Sequence, residues 1–235
     1  MKGETAAPAR PYVHLNCAVS LDGRLAFAGG KQAALSGPRD LARVQALRVQ
    51  LGAVLVGVGT VILDDPSLRV HWDLLHQAPG PAPVRICLDG TGRLPATARF
   101  LDGTQPTIVA TTKSARRSYP PSVETILAGS GPEVDLTTLL RALAAYGLRG
   151  VLVEGGSHVI ASFLRARLVD RMTVYVAPVL IGEDAAPSLM AGPGSRSPSD
   201  WVELVRESVE PLDDGVLISF RPRSAPAIPP PPASL

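Results

Sequence analysis

The stretch Val151–Ser162, which reads VLVEGGSHVIAS, decides how the rest of the chain is interpreted. It opens with three apolar residues, two of them β-branched, which is typical of the end of a buried strand. One carboxylate and two glycines follow, and apolar residues at helical spacing come next. The stretch therefore predicts a strand that turns directly into a helix, as in an α/β domain.

The turn in this stretch has two interpretations. The first turn of a helix has free backbone N–H groups and partial positive charge, so it suits a phosphate. Glu154 does not suit a phosphate and is expected to face something else. Alternatively, Gly155 and Gly156 provide only backbone freedom, as in many glycine-rich turns. This segment alone does not separate the two.

Composition narrows the class of protein. Of 235 residues, 46% are hydrophobic and 19% are charged, which is enough for a folded core. A net charge of +2, an aromatic content of 4% and the lack of a basic run give nucleic-acid binding no support. Cys17 and Cys87 have no metal-ligand spacing and are expected to be buried free thiols. Because Met1–Pro11 resembles no signal peptide and no apolar run is long enough to cross a membrane, we expect a soluble, cytoplasmic protein.

Strands and helices alternate over most of the predicted fold. Pro11–Ser20 reads as a strand with one apolar and one mixed face, and Ser36 is expected to cap the first helix. The apolar stripe of that helix is predicted at Leu41, Val44, Leu47 and Leu51. Later strands are predicted at Ala53–Gly57, Val84–Asp89, Thr107–Thr111, Val123–Leu127, Arg171–Val176, Trp201–Val209 and Gly215–Phe220, and Asp135 is expected to cap another helix.

This order predicts a three-layer α/β domain with a mixed, mostly parallel sheet and antiparallel C-terminal strands. We expect one domain over residues 11–221, a disordered N-terminus over 1–10 and a disordered Pro-rich tail over 222–235. Ligands of such sheets bind at the carboxyl ends of the strands. Polar clusters follow several predicted strands, which is expected of a nucleotide-sized pocket: Ser20–Gly23, Gly57–Asp65, Asp89-Gly90 and Glu154–Ser157.

Individual side chains give weaker signals. Thr60 and Asp64 lie four apart, so on a helical turn they would share a face and could bind phosphate, ribose or a sugar hydroxyl. Spacing alone favours the simpler interpretation, a turn with a local cap. Arg48 could hold a phosphate, although a surface arginine is the more common case. No nucleophile–base set and no complete dinucleotide fingerprint is visible, so an enzyme here would take its chemistry from a cofactor.

The chain resembles the reductase domain of riboflavin biosynthesis, which has the dihydrofolate-reductase-like fold. The resemblance runs from about Pro11 to Phe220, and the order and spacing of its motifs make it specific. The motifs are Val19-Ser20-Leu21-Asp22-Gly23, Leu47-Arg48, Leu55–Pro66, Val153-Glu154-Gly155-Gly156, Leu168-Val169-Asp170 and Tyr175–Leu180.

The resemblance implies an NADPH-dependent reductase that converts the ribosyl group of a ribosylamino-pyrimidine 5′-phosphate to ribityl, with no metal. It implies a homodimer and a loop, Gly29–Ser36, that closes over the site. The cofactor would bind at Val19, Thr60, Asp64, Gly90, Gly155, Gly156, Ser157, His158 and Val159. The substrate would bind at Asn16, Ser36, Arg48, Leu68, His71 and Glu154, with the phosphate at Arg48 and His71. Glu154, Asp22 or water would provide the proton that accompanies the hydride.

Three positions depart from the bifunctional bacterial members. These usually have Lys at Asn16, Arg at His71 and often an aromatic residue at Ala34. Asn and His resemble the stand-alone archaeal type, which reduces the 2,5-diamino-pyrimidinone rather than the aminouracil. No deaminase domain is visible, so this chain is not expected to deaminate. A related reductase of another small substrate and a non-catalytic nucleotide-binding protein are the alternatives.

Overall fold

The computed structural model describes residues 10–115, 117–223 and 229–231. The N-terminal residues that are expected to be disordered lie almost entirely outside these ranges. Much of the predicted Pro-rich tail also lies outside them. No helix in the described ranges is both long enough and apolar enough to cross a bilayer.

One sheet forms the centre of the molecule. Its strands are β1 (Tyr12–Ser20), β2 (Ala53–Gly57), β3 (Val84–Leu88), β4 (Thr107–Thr111), β5 (Glu124–Leu127), β6 (Gly150–Gly155), β7 (Arg171–Ala177), β8 (Leu204–Leu212) and β9 (Gly215–Pro222). Their order in the sheet is β5-β4-β3-β2-β6-β1-β7-β9-β8. The first seven in this order pair in parallel, and β9 is antiparallel to both β7 and β8. The predicted mixed, mostly parallel sheet with antiparallel C-terminal strands is confirmed.

Helices cover both faces of the sheet. They are α1 (Pro38–Leu51), α2 (Val58–Asp64), α3 (Leu136–Ala145) and α4 (Ser157–Arg165), and short 3-10 turns lie at Ala28–Gly30, Trp72–Leu75, Arg99–Leu101 and Pro198–Asp200. Alternate residues of β6 fill the two faces. Val151 and Val153 pack with Phe163 of α4, whereas Leu152 packs with Leu51 of α1. We call these two sides the α4 face and the α1 face.

The start of α1 differs from the prediction. Gly37, not Ser36, is the N-cap residue, and no side chain of the cap itself accepts a hydrogen bond. Instead, the carboxylate of Asp213 accepts the backbone N–H groups of Arg39 and Asp40 at 3.2 and 3.0 Å. Asp213 lies in the turn between β8 and β9, so tertiary structure provides the cap that the local sequence lacks.

The buried side of α1 also differs from the predicted stripe. Leu41 is 44% exposed, whereas Asp40 and Gln45 are buried. The reason is that α1 lies over polar residues of β1 and β7, which it contacts through hydrogen bonds. The predicted strand at Trp201 is also displaced, because β8 begins at Leu204 and Trp201 is 61% exposed.

The helices that follow two neighbouring strands, β2 and β6, lie on opposite faces of the sheet. After β2 the chain forms α2, whose Val58 and Val61 pack on the α1 face. After β6, which lies beside β2, it forms α4 on the other face. Such a switch in direction opens a crevice at the carboxyl ends of the strands, which is where ligands of open α/β sheets bind.

Candidate active site

Two glycine turns meet at this crevice. A Cβ built on Gly57, at the end of β2, would lie 2.7 Å from Cγ2 of Val159 in α4. A Cβ on Gly156 would lie 3.3 Å from Oγ1 of Thr60 in α2. Gly155 has a φ of +111°, which residues with a side chain rarely adopt. Close approach at Gly57 and backbone conformation at Gly155 therefore favour glycine at these two positions.

The first turn of α4 has no capping side chain. Its N-cap residue, Gly156, provides no side-chain hydrogen bond to the free N–H groups of the turn. Ser157 and Val159 are buried and His158 is exposed, so the turn is anchored on one side only. A capless helix start with a glycine cradle fits the pyrophosphate of a dinucleotide.

Thr60 and Asp64 lie on α2, so the helical interpretation of their spacing is correct. Both are half-buried. Burial raises the pKa of Asp64, and a hydrogen bond from the backbone N–H of Gln32 acts in the opposite direction. The loop Gly29–Ser36 thus contacts the end of α2. Leu35 of the same loop packs against the buried cluster that contains Tyr175.

Glu154 and Arg48 form the central ion pair of the crevice. Nε and Nη2 of Arg48 donate to Oε1 and Oε2 of Glu154 at 2.8 and 2.7 Å. Both side chains are mostly buried, with exposures of 13% and 14%. Burial by itself would lower the pKa of Arg48, but the carboxylate of Glu154 raises it. The interpretation of Arg48 as a surface residue is wrong.

The pairing restricts what Arg48 can offer a phosphate. Its Nη1 donates to the carbonyl oxygen of Arg69 at 2.7 Å, so three of the five N–H donors of the guanidinium are in use. Two remain for a ligand.

The register of β6 against β2 shifts at Glu154, and a bulge of this kind redirects a side chain beside a site.

The segment Ser67–His71 lines the crevice beyond Arg48. Leu68 is buried with a φ of +51°, and the backbone N–H of His71 donates to Oε1 of Gln45 at 3.1 Å. The buried Arg85 and Gln105 both donate to the carbonyl oxygen of Ser67. The segment is thus held from three sides, and it leaves the His71 side chain exposed.

The remaining predicted residues lie around the edge. The carboxylate of Asp22 accepts hydrogen bonds from Ser20 Oγ and from the backbone N–H groups of Ile181 and Gly182. These bonds hold the pKa of Asp22 well below its usual range, which argues against a proton donor there. Val19 is buried in the core of the α4 face. Ser36 is half-buried, and no contact in the described residues places it beside Glu154.

Gly90 follows β3 at the same edge of the sheet. A Cβ on this residue would lie 2.2 Å from the carbonyl oxygen of Pro132, so the backbone approaches too closely for any side chain. The preceding Asp89 is fully buried and accepts the N–H groups of Arg93 and Leu94 at 2.8 and 2.7 Å. Asp89 therefore shapes the loop rather than facing a ligand.

A buried cluster of hydrogen-bonded polar side chains under α1 was not predicted from the sequence. It joins Asn16 to Asp40, Arg43, Thr173 and His14. Two features of the sequence indicate this buried polar cluster. Asp40 and Arg43 are three apart on a helix, and β1 has a mixed face. The described residues contain no cluster of three or more His, Cys, Asp or Glu side chains arranged to hold a metal.

Comparisons with known proteins show which family the chain resembles. The RibD C-terminal domain family matches residues 11–218. The chain is 36% identical over 219 residues to 2,5-diamino-6-ribosylamino-4(3H)-pyrimidinone 5′-phosphate reductase of Methanothermobacter thermautotrophicus, covering 90% of this chain and 98% of that protein. It is also 36% identical over 187 residues to riboflavin biosynthesis protein RibD of Escherichia coli, but spans only 50% of that relative.

A crystal structure from Thermotoga maritima extends the likeness to three dimensions. That protein is a diaminohydroxyphosphoribosylaminopyrimidine deaminase/5-amino-6-(5-phosphoribosylamino)uracil reductase. It superposes with a TM-score of 0.78 at 31% identity, over 91% of this chain and 57% of its own. Sequence and fold lead to the same conclusion: the chain belongs to the RibD C-terminal domain family, the reductases of riboflavin biosynthesis.

Proposed function

We propose that this protein uses NADPH to reduce the ribosyl group of 2,5-diamino-6-ribosylamino-4(3H)-pyrimidinone 5′-phosphate to a ribityl chain. One observation carries the proposal. The Glu154–Arg48 pair lies between an uncapped helix start and the rigid Ser67–His71 segment. This arrangement supports the proposal because it would offer an anion site and a polar substrate site next to each other. The Methanothermobacter relative, which is similar over nearly its whole length, bears the name of this activity.

The α4 turn is the part of the site that fits the cofactor. Gly155, Gly156 and Ser157 would hold the pyrophosphate by backbone N–H groups, and Thr60 of α2 lies directly across the turn. Asp64, half-buried at the end of α2, would accept a sugar hydroxyl. When bound, NADPH would supply the hydride.

The Glu154–Arg48 pair would orient the substrate. Each oxygen of Glu154 receives one hydrogen bond from Arg48 and keeps a lone pair, so it can accept from a hydroxyl or amino group. The two unused N–H donors of Arg48 and the exposed His71 would contact the phosphate. With Asp22 disfavoured, Glu154 and water are the two proton sources to compare.

The test is a substrate comparison. Purified protein and NADPH are mixed with the diaminopyrimidinone phosphate, with 5-amino-6-(5-phosphoribosylamino)uracil and with dihydrofolate, and the loss of NADPH absorbance is followed. We expect the highest kcat/KM for the diaminopyrimidinone phosphate. The Thermotoga relative is named as a reductase of the aminouracil. Faster turnover of that compound would make it the substrate in place of the diaminopyrimidinone phosphate. Cofactor binding without turnover of either pyrimidine would reject the proposal.

A further inference from the structure

A chain of hydrogen bonds runs beneath α1, across β1 and β7. Nε2 of His14 lies 3.0 Å from Oγ1 of Thr173, and this hydroxyl donates to Oδ1 of Asn16 at 2.8 Å. Nη2 of Arg43 donates to the same Asn16 oxygen at 2.7 Å. Arg43 in turn donates to Oδ1 of Asp40 through Nε and Nη2 at 2.9 and 2.7 Å.

The chemistry of these groups fixes the direction of every bond. A guanidinium donates and never accepts, so the Asn16 atom that meets Arg43 must be the carbonyl oxygen. The single proton of the Thr173 hydroxyl goes to that oxygen, because an amide oxygen cannot donate. Thr173 must then accept from His14, which carries its proton on Nε2. The orientation of the Asn16 amide follows from its partners alone.

The charges in this chain are balanced. Burial, together with the positive charges of Arg171 and Arg43, lowers the pKa of His14 to about 3, so the imidazole is neutral. Asp40 is 1% exposed and is paired with Arg43. Because Oδ1 of Asn16 accepts hydrogen bonds from both Arg43 and Thr173, the Asn16 amide is held in one orientation.

The nitrogen of this amide has no partner of its own. No group in the described part of the chain accepts a hydrogen bond from Asn16 Nδ2. It is also not among the enclosed atoms that lack a partner, which are Nε of Arg24 and Nε of Arg171. Nδ2 is therefore not fully enclosed by the described residues. Leu15 of β1 is in register with Val153 of β6, so Asn16 and Glu154 are the next residues on neighbouring strands.

We propose that Thr173 and Arg43 are positioning residues that turn the Asn16 amide so that Nδ2 donates to an acceptor oxygen of the substrate. The acceptor is a carbonyl, hydroxyl or phosphate oxygen. That Asn16 and Glu154 contact the substrate is already an expectation of the family resemblance; the new element is the direction in which Thr173 and Arg43 hold the Asn16 donor. This inference rests on the proposed reductase function.

Three substitutions test the proposal. Asn16→Asp keeps an oxygen for Arg43 and Thr173 but replaces the donor by a second acceptor. Thr173→Val removes the hydroxyl that fixes the amide, and Thr173→Ser restores it. The matched control is Ser219→Ala, because Ser219 is buried and pairs with Thr173 across β7 and β9 but takes no part in the chain of bonds.

Turnover of the diaminopyrimidinone phosphate by the wild type comes first, and its failure rejects the proposed function rather than this inference. With an active wild type, Asn16→Asp is expected to raise KM about 10- to 100-fold, with the Kd for NADPH unchanged. Thr173→Val is expected to raise KM several-fold with kcat retained, and Thr173→Ser and Ser219→Ala are expected to match the wild type. An unchanged KM in Asn16→Asp, or equal losses in Thr173→Val and Thr173→Ser, would overturn the inference.

Two further measurements complete the design. The dephosphorylated substrate distinguishes the acceptors: the Asn16→Asp penalty persists if the oxygen belongs to the pyrimidine or ribose and disappears if it belongs to the phosphate. Thermal unfolding separates a positioning role from a folding defect. If Thr173→Val does not fold, the side-chain NH2 signal of Asn16 in 15N spectra must shift when substrate is added to the wild type, and no shift rejects the inference.

Discussion

At the scale of the residue, the Glu154–Arg48 pair determines how the crevice works. The two side chains are 106 positions apart, and Arg48 donates two hydrogen bonds to Glu154. In the unliganded protein each neutralises the other, so a substrate meets no net charge at this point. Lone pairs of Glu154 and two N–H donors of Arg48 are what a ligand can use.

Replacing Glu154 by Gln tests the division of the β6–α4 turn between substrate and cofactor. The amide NH2 of the variant cannot accept a hydrogen bond from the substrate, and loss of a bond to a charged group costs about 1.5–3 kcal/mol, so kcat/KM for the pyrimidine is expected to fall roughly 10- to 100-fold. The Kd for NADPH, measured by fluorescence titration, is expected to change less than twofold. Equal losses in turnover and cofactor binding would show that the turn is divided wrongly.

His14 predicts a particular dependence of stability on pH. Its pKa is lowered from 6.5 to about 3, so between these values the unfolded chain binds a proton that the folded protein does not. Stability is therefore lost as the pH falls from 6.5 towards 3 and is complete above 6.5.

The measurement is urea unfolding of the wild type and of His14→Gln, whose amide N–H can still donate to Thr173. The variant is expected to lose less stability, by up to about 1.4 kcal/mol per pH unit within this window. His158→Gln, at an exposed residue, is the control. Parallel curves for wild type and His14→Gln would contradict the buried, neutral state of His14.

At the scale of the element, two glycines with opposite surroundings give a matched pair. A Cβ on Gly90 would meet the backbone of Pro132 at 2.2 Å, whereas a Cβ on Gly59 in α2 would meet nothing within 4 Å. Gly90→Ala is expected to destabilise the protein by about 1–3 kcal/mol. Gly59→Ala is expected to stabilise it, by up to about 1 kcal/mol, because alanine favours a helix. Chemical unfolding measures the free energy of unfolding of both variants. An unchanged value in Gly90→Ala would show that the loop can move to accept a side chain, against this prediction.

Elements were predictable where the local sequence determines them. The strand, turn and helix of Val151–Ser162 follow from apolar periodicity and two glycines, and β6 and α4 confirm them. Periodicity failed in α1, where Leu41 is exposed and Asp40 is buried. That difference depends on Asn16 and Thr173, which are distant in the chain. The partners of Arg48 were hidden for the same reason, since no local pattern indicates a contact across 106 residues.

At the scale of the whole molecule, the C-terminal hairpin stabilises the first helix. Asp213, in the β8–β9 turn, accepts two N–H groups at the start of α1, while its neighbour Asp214 is exposed. Asp213→Asn keeps a residue that tolerates the left-handed backbone at this position but removes the charge. We expect a loss of about 0.5–1 kcal/mol in the free energy of unfolding. Asp214→Asn should match the wild type, and equal effects of the two would reject the cap.

The homodimer stays a prediction. β8 is the outer strand of the sheet beyond β9, and its Val209 is 50% exposed. Light scattering of the purified protein measures the oligomeric state directly. The local patterns predicted the sheet type, but the position of β6 between β2 and β1 could not be predicted from them, because it depends on a connection of more than a hundred residues.

The place of β6 in the sheet has a consequence for synthesis on the ribosome. β1 pairs with β6 and β7, the earlier of which begins at Gly150. As the earliest strand of this sheet, β1 therefore leaves the ribosome more than a hundred residues before its partners exist. Meanwhile β2, β3, β4 and β5 can pair in the order in which they emerge. Pairing over such a long separation is slow and leaves strand edges exposed, so we expect β1 to be the segment of the nascent protein that depends most on chaperones.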